Sequence, residues 1–336
     1  MSASDTRLPP AVQEFVHRHR FRWWELIPWI CAIAFFYLFP RHLGFGNELL
    51  VMVLFALSLD LVLGYAGIVT LGHAAFFGIG AYTVGMLAHH GLWTEPISGL
   101  LIAAVVASIF GLISGLVLLR TTGLTLLMLT LCIMLLLEEA ANLGQVWTGG
   151  YDGLDTVPID PIFGTFAFNP LIPATQYIYI LCVLFVCFLI LRTIIYSPFG
   201  ESLTGIRENT LRMHAVGAPV RKRLVVCYAI SASIAGVAGA IWAQSNAYVN
   251  MSTLSLDRAA TVLIVLVLGG CGRIYGAFVG AVAYMVLSHY LAKLYPTAWQ
   301  LGLGLMLMII ALFARNGILG IFESLMNRIR GKRAVS

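Results

Sequence analysis

Long uninterrupted apolar runs constrain this chain more than any other feature. Crossing a hydrocarbon layer takes about 20 apolar residues in a helix. Ten runs approach that length: 24–40, 48–65, 67–88, 97–119, 122–143, 176–195, 224–244, 259–270, 276–292 and 297–314. They are helical in length and not the roughly ten-residue alternating segments of a membrane barrel. Of the 336 residues 60% are apolar and 10% charged, against about 25% charged in an ordinary soluble domain. So few charges cannot cover a water-exposed surface, which excludes a soluble enzyme, a disordered chain and a disulfide scaffold. The expected fold class is an all-α polytopic membrane protein with about ten transmembrane or re-entrant helices.

The charges orient the runs. With the N-terminus inside, 17 of the 20 Lys and Arg fall on the cytoplasmic side, and only Arg41, Arg258 and Lys293 fall opposite. Cytoplasmic loops collect Lys and Arg, so the expected topology is N-in/C-in. The net charge of +5 thus reads as an orientation signal, with membrane lipid and no nucleic acid as the partner. Residues 1–23 form a basic cytoplasmic arm, 24–314 the transmembrane domain and 315–336 a basic cytoplasmic tail. The first run lacks the short n-region and cleavage site of a signal peptide. Residues 144–175 carry no Lys or Arg and form an outer loop, whereas 196–223 form the large cytoplasmic loop. The six cysteines lie in or beside apolar runs without C-x-x-C spacing, which suits small buried side chains better than a metal site. No metal or cofactor site is expected in the chain.

Two runs look broken. Ala259 to Gly270 is too short to span upright, and Gly64, Gly67 and Gly72 interrupt the start of 67–88. Glycine-broken segments mark the pathway in many transporters, but small residues also let helices pack closely in lipid. The candidates for a pathway or gate are Asp60, Gly64, Gly67, Thr70, Gly72, His73, Gly78, Gly80 and Tyr82. Asp60 is the costly one: a carboxylate near the bilayer centre costs about 2.5–3.5 kcal/mol on insertion scales. It calls for a partner, a wet cavity or a bound proton, and either pathway lining or a structural cap would supply one. His73 is a proton carrier or a packed hydrogen-bond donor. Glu138 and Glu139 lie about one turn from the outer end of their run and can reach outer water.

In the loop 196–223, Leu203, Ile206 and Thr210 share one helical face and Arg207 and Leu211 another, before Gly217 and Pro219 stop the helix. A short helix lying on the membrane surface can dock into a soluble partner; a plain solvated connector is the alternative. The chain contains no P-loop ending in GK[ST], so nucleotide hydrolysis belongs to another subunit.

Gly64 to Tyr82, Thr148-Gly149-Gly150-Tyr151-Asp152-Gly153-Leu154, Ser197-Pro198-Phe199-Gly200, Ile206-Arg207-Glu208-Asn209, Ala215-Val216-Gly217, Ile230 to Ala240 and Leu266 to Gly280 occur in that order. In this ordered set the sequence resembles the permease family of branched-chain amino acid ABC importers, specifically the LivM-type subunit. It departs from that pattern at Asp60, where Asn is usual, and at Ile68-Val69-Thr70. The resemblance implies an ABC importer permease fold, no catalysis in this chain, and a bacterial inner membrane location. It also implies a sister LivH-type permease, two cytoplasmic ABC ATPases that bind ATP and Mg, and a periplasmic substrate-binding protein. The implied ATPase-coupling residues are Ile206, Arg207, Glu208, Asn209, Leu211, Arg212, Ala215 and Gly217.

Three other functions remain open at this point. They are a urea or amide ABC importer permease, an ion- or proton-coupled secondary transporter titrating Asp60 and His73, and an intramembrane enzyme using Asp60, His73 and Glu138.

Overall fold

Helices account for nearly all regular structure in the computed structural model, which describes residues 23–155 and 172–294, with scattered positions between 296 and 320. The basic arm up to residue 22, residues 156–171 of the outer loop, most of the tenth apolar run and the tail from 321 lie outside the described residues. The chain divides into two units, Met1–Arg41 and His42–Ser336. In the first, a 3-10 turn (Trp23–Leu26) leads into α1 (Ile27–Leu38), which has Pro28 in its first turn, where a missing N–H costs nothing. At 12 residues α1 rises about 18 Å, short of a full crossing.

The second unit contains α2 (Leu43–Asp60), α3 (Ala74–His89), α4 (Pro96–Leu118), α5 (Leu124–Leu143), α6 (Pro173–Ile195), α7 (Pro198–Glu208), α8 (Thr210–Ala215), α9 (Val220–Asn246), α10 (Leu256–Gly269) and α11 (Ile274–Leu294). Seven helical stretches among the described residues are long and apolar enough to cross a membrane. The chain is therefore a multi-pass, all-α membrane protein. The run at 259–270 is longer than the sequence suggests, because Ser255 caps α10 by accepting from the Arg258 N–H at 3.4 Å and the helix starts at Leu256. With the turn Met251–Thr253 it forms a 19-residue apolar stretch. The run at 67–88 is shorter, since its helix begins only at Ala74.

Burial sorts these helices into an inner pair and an outer set. In the most apolar window of α2 and of α9, 78% of the residues are buried, against 22–33% for α4, α5, α6 and α11. Small residues make the inner contacts: a Cβ on Gly80 would strike the Gly236 backbone, and Ala232 faces Gly111. In lipid, where water exclusion adds nothing between helices, such close backbone approach supplies the dispersion that holds a bundle together. The outer set exposes Leu101, Val105, Ile109, Ile113 and Val117 along one helix, α4. A stripe of that kind suits acyl chains or another apolar subunit. Cys187 and Cys227 are buried as expected, but Cys31, Cys132, Cys182 and Cys271 are exposed, and all six are free.

A two-stranded antiparallel ladder, β1 (Leu154–Asp155) with β2 (Tyr248–Val249), ties the loop after α5 to the end of α9 in the register Leu154↔Val249 and Asp155↔Tyr248. Gly153 stands at φ +71 against the Val249 carbonyl, a position closed to any side chain on both counts.

Candidate functional site

The helix carrying Asp60 does not end cleanly. α2 widens into a π turn, Leu61–Tyr65, and residues 66–73 then run without regular structure before α3 begins. π turns within helices often mark functional sites. Irregular backbone at membrane depth is tolerated only where protein buries it or it lines a cavity. Here Ala66, Ile68, Thr70, Gly72 and His73 are buried. Hydroxyls satisfy two of the freed amides: Leu71 N–H donates to Thr130 Oγ1 at 3.3 Å, and Gly72 N–H to Thr70 Oγ1 at 3.2 Å.

Asp60 is buried, and its Oδ1 accepts from the Gly272 N–H at 2.7 Å; Oδ2 has no hydrogen-bond partner among the described residues. Gly272 lies in the tight turn between α10 and α11. One turn along, Arg207 from α7 donates through Nη1 to the Gly64 carbonyl. The stem of Arg207 packs on Gly67, which stands at φ +73, and a Cβ on Gly64 would collide with the Asp60 carboxylate and the Gly272 backbone. Asp60, Gly64, Gly67, Arg207 and Gly272 thus form one latch between the π turn of α2, the α10–α11 turn and α7. Three of these five residues come from the pathway set; Arg207 comes from the coupling set.

The other pathway candidates pack elsewhere. His73 is buried, stacked on Phe55 with ring centroids 5.5 Å apart, and shares a 2.9 Å hydrogen bond between Nε2 and Ser58 Oγ. Asp60 and His73 therefore sit in separate networks. Thr70 meets the Tyr228 hydroxyl. Gly72 abuts the Thr130 carbonyl and Gly78 the Leu254 side chain. Tyr82 belongs to a buried cluster with Leu154, Val249 and Leu254. Glu138 is half-buried and Glu139 exposed, and no group of three His, Cys, Asp or Glu converges among the described residues.

The loop expected to hold one short helix holds two. Ser197 caps α7 by accepting from Gly200 N–H, and Asn209, extended at φ −156, ends it while capping α8 by accepting from Arg212 N–H at 2.9 Å. This break re-aims the coupling candidates. Leu203 and Ile206 are buried against this chain's own helices, so the Ile206 side chain packs inward and is not presented at the surface of the loop. Glu208, Asn209, Arg212, Ala215 and Gly217 are exposed, and Leu211 and Val216 are 81% and 79% exposed.

Nearer the start of α2 lies a feature that periodicity did not reveal. A cavity of about 250 Å³ opens among α2, α3, α9, α10 and α11. Arg258 stands at its wall with its guanidinium carbon 5.2 Å from the Trp242 ring centroid and 5.4 Å from that of Phe77. Glu48 and Asn246 supply the other polar groups of the lining. The sequence held one hint: Arg258 is among three basic residues on the side where the charge count leaves almost none.

Residues 43–312 match the family described as branched-chain amino acid transport system, permease component. The chain is 26% identical to the high-affinity branched-chain amino acid transport system permease protein LivM of Escherichia coli K12, over 86% of this chain and 73% of that protein. It is 25% identical to the protein of the same description from Salmonella typhimurium, with the same coverage. A probable branched-chain amino acid transport permease protein LivM of Methanocaldococcus jannaschii is 24% identical over 69% of this chain and 76% of its own length. No solved structure matches. The family match covers most of the chain and all but the first of its described apolar helices, and on that ground the chain belongs to the permease-component family of branched-chain amino acid transport systems.

Proposed function

We propose that this chain is one membrane-spanning half of an ATP-driven importer of branched-chain or related amino acids in a bacterial inner membrane. Its companions are a sister LivH-type permease, two cytoplasmic ABC ATPases that hold ATP and Mg, and a periplasmic binding protein. The Asp60 end of α2 faces the cytoplasm, because the basic segment carrying Arg207, Arg212, Arg221, Lys222 and Arg223 lies at that end. The N-in/C-in topology follows from the same rule. The chain itself performs no bond chemistry; it moves by alternating access between outward-open and inward-open states.

The observation that carries the coupling role is the Arg207–Gly64 hydrogen bond. It joins the exposed α8 surface, through α7, to the π turn of a largely buried helix. An ATPase docking on Leu211 and Arg212 would displace α7–α8 as a unit, and the latch would pass that displacement to α2 and to the α10–α11 turn. Coupling of this kind needs an element with two discrete arrangements that both sites bias. We assign that role to the π turn and the eight residues of irregular backbone beside it.

The assembled importer in proteoliposomes tests the assignment. Leucine uptake should require loaded binding protein and ATP, and Leu211→Asp should abolish stimulated ATPase activity while leaving membrane insertion of the permease intact. Uptake driven by an ion gradient without ATP would overturn this function in favour of a secondary transporter. The separation of Asp60 from His73 speaks against that alternative. A urea or amide substrate would appear as the ligand of the binding protein.

A further inference from the structure

The cavity beside Arg258 has the chemistry of a zwitterion site with an apolar end. Its volume, about 250 Å³, is below the roughly 300–1,000 Å³ of drug-sized pockets but many times the roughly 30 Å³ share of one water. A small solute fits. Two aromatic faces hold the Arg258 guanidinium, and no hydrogen bond or ion pair engages it among the described residues. Most of its five N–H donors remain available, in the planar fork that matches a carboxylate. Glu48, whose field acts on Arg258, is likewise without a hydrogen-bond partner among the described residues and lines the same space; Tyr284 is the other ionisable group facing Arg258. The remaining wall is Val51, Met52, Phe55 and Met285. A cation and an anion across one cavity, too far apart to pair directly, match a solute carrying both charges; the aliphatic wall matches an unbranched or branched hydrocarbon side chain.

We infer that this cavity is a transit site within the permease for a zwitterionic α-amino acid with an aliphatic side chain, with Arg258 receiving the carboxylate, Glu48 the ammonium, and Val51, Met52 and Met285 the side chain. The inference rests on the function proposed above and assigns part of its selectivity to this chain and not only to the binding protein. Glu48, at the far wall of the cavity, lies about 18 Å along α2 from Asp60, counting 12 residues at 1.5 Å. Motion of the latch end can therefore reshape the cavity through a single helix.

The test uses the full importer in proteoliposomes with saturating leucine-loaded binding protein and reads leucine transported per ATP hydrolysed. Arg258→Gln and Glu48→Gln should each lower that ratio at least tenfold, and Arg258→Lys, which keeps charge but loses the fork, should recover part of it. Glu48 is exposed, so its variant reports even if Arg258→Gln fails to assemble. An unchanged ratio in Glu48→Gln overturns the inference, as does an unchanged ratio in an assembled Arg258→Gln. Equilibrium binding of radiolabelled leucine to the importer without binding protein provides the second measurement. Valine should displace it, whereas leucinamide and 4-methylpentanoate, each lacking one charge, should compete at least tenfold more weakly. Equal displacement by 4-methylpentanoate overturns the inference. Absence of ATP-dependent leucine uptake by the unaltered importer would instead be a failure of the proposed function.

Discussion

Two arginines approach opposite halves of α2 and meet different surroundings. Arg207 is exposed along much of its length, yet its guanidinium ends on a backbone carbonyl, beside a buried carboxylate whose Oδ1 accepts from an amide. Arg258 is half-buried, held by aromatic faces, and opens onto a cavity. The first arrangement leaves no room: Gly64, Gly67 and Gly272 admit no side chain without collision. The second keeps space and unspent hydrogen-bonding capacity. A crowded cluster transmits displacement, whereas a roomy one with unspent donors receives a solute. The contrast separates coupling from binding within one helix.

Gly64→Val attacks the latch at its tightest point and should have the largest effect. Overpacking a close-packed site costs about 1–3 kcal/mol or more, and here the obstructing atoms include Gly272 backbone, which cannot swing aside. Loss of monodisperse protein on size-exclusion chromatography is the expected outcome, and normal recovery would show that the latch is looser than described. Asp60→Ala should follow, because it leaves the half-buried Gly272 amide without its acceptor, a loss of about 1–3 kcal/mol at most. Asp60→Asn retains an acceptor and should stay within about 1 kcal/mol of the parent, read as the ratio of the two shifts in thermal midpoint. Equal shifts for the two variants would mean that the carboxylate charge, not the hydrogen bond, is what this position provides.

Arg207→Ala should leave the fold intact, since the residue is largely exposed, but uncouple stimulated ATPase activity from uptake. Arg207→Lys should keep part of that coupling, because one ammonium donor can still reach the Gly64 carbonyl. Full coupling in Arg207→Ala would break the distinction between the two ends of α2. The smallest effect belongs to Trp242→Leu at the cavity, which removes one cation–π partner of Arg258, worth about 0.5–2 kcal/mol. Uptake should weaken there without loss of assembly.

The long helices were legible because apolar runs of spanning length have no stable alternative in lipid. The latch was half legible: Asp60 announced itself as a carboxylate in an apolar run, and Gly64 and Gly67 as breaks beside it. Its partners were not, since Gly272 and Arg207 lie 212 and 143 residues away and no local pattern specifies such a pairing. The same limit explains Ile206. Helical periodicity put it on an apolar face, but periodicity does not say whether that face meets a partner subunit or the chain's own core. Asn209 ends α7 by turning extended and starts α8 with its capping side chain, a break fainter in the sequence than the stop at Gly217 and Pro219.

Sequence by itself determined the solvent this chain lives in, its helical class and, through the ordered motifs, the family it resembles. Each of these depends on composition and short-range spacing, which a linear chain states directly. Tertiary structure alone decided that His73 packs on Phe55, that Arg207 turns inward to the π turn, and that Glu48 and Arg258 share a cavity. Those outcomes depend on which helices touch, and in a bundle held by close backbone contacts that choice is made by shape complementarity between distant segments.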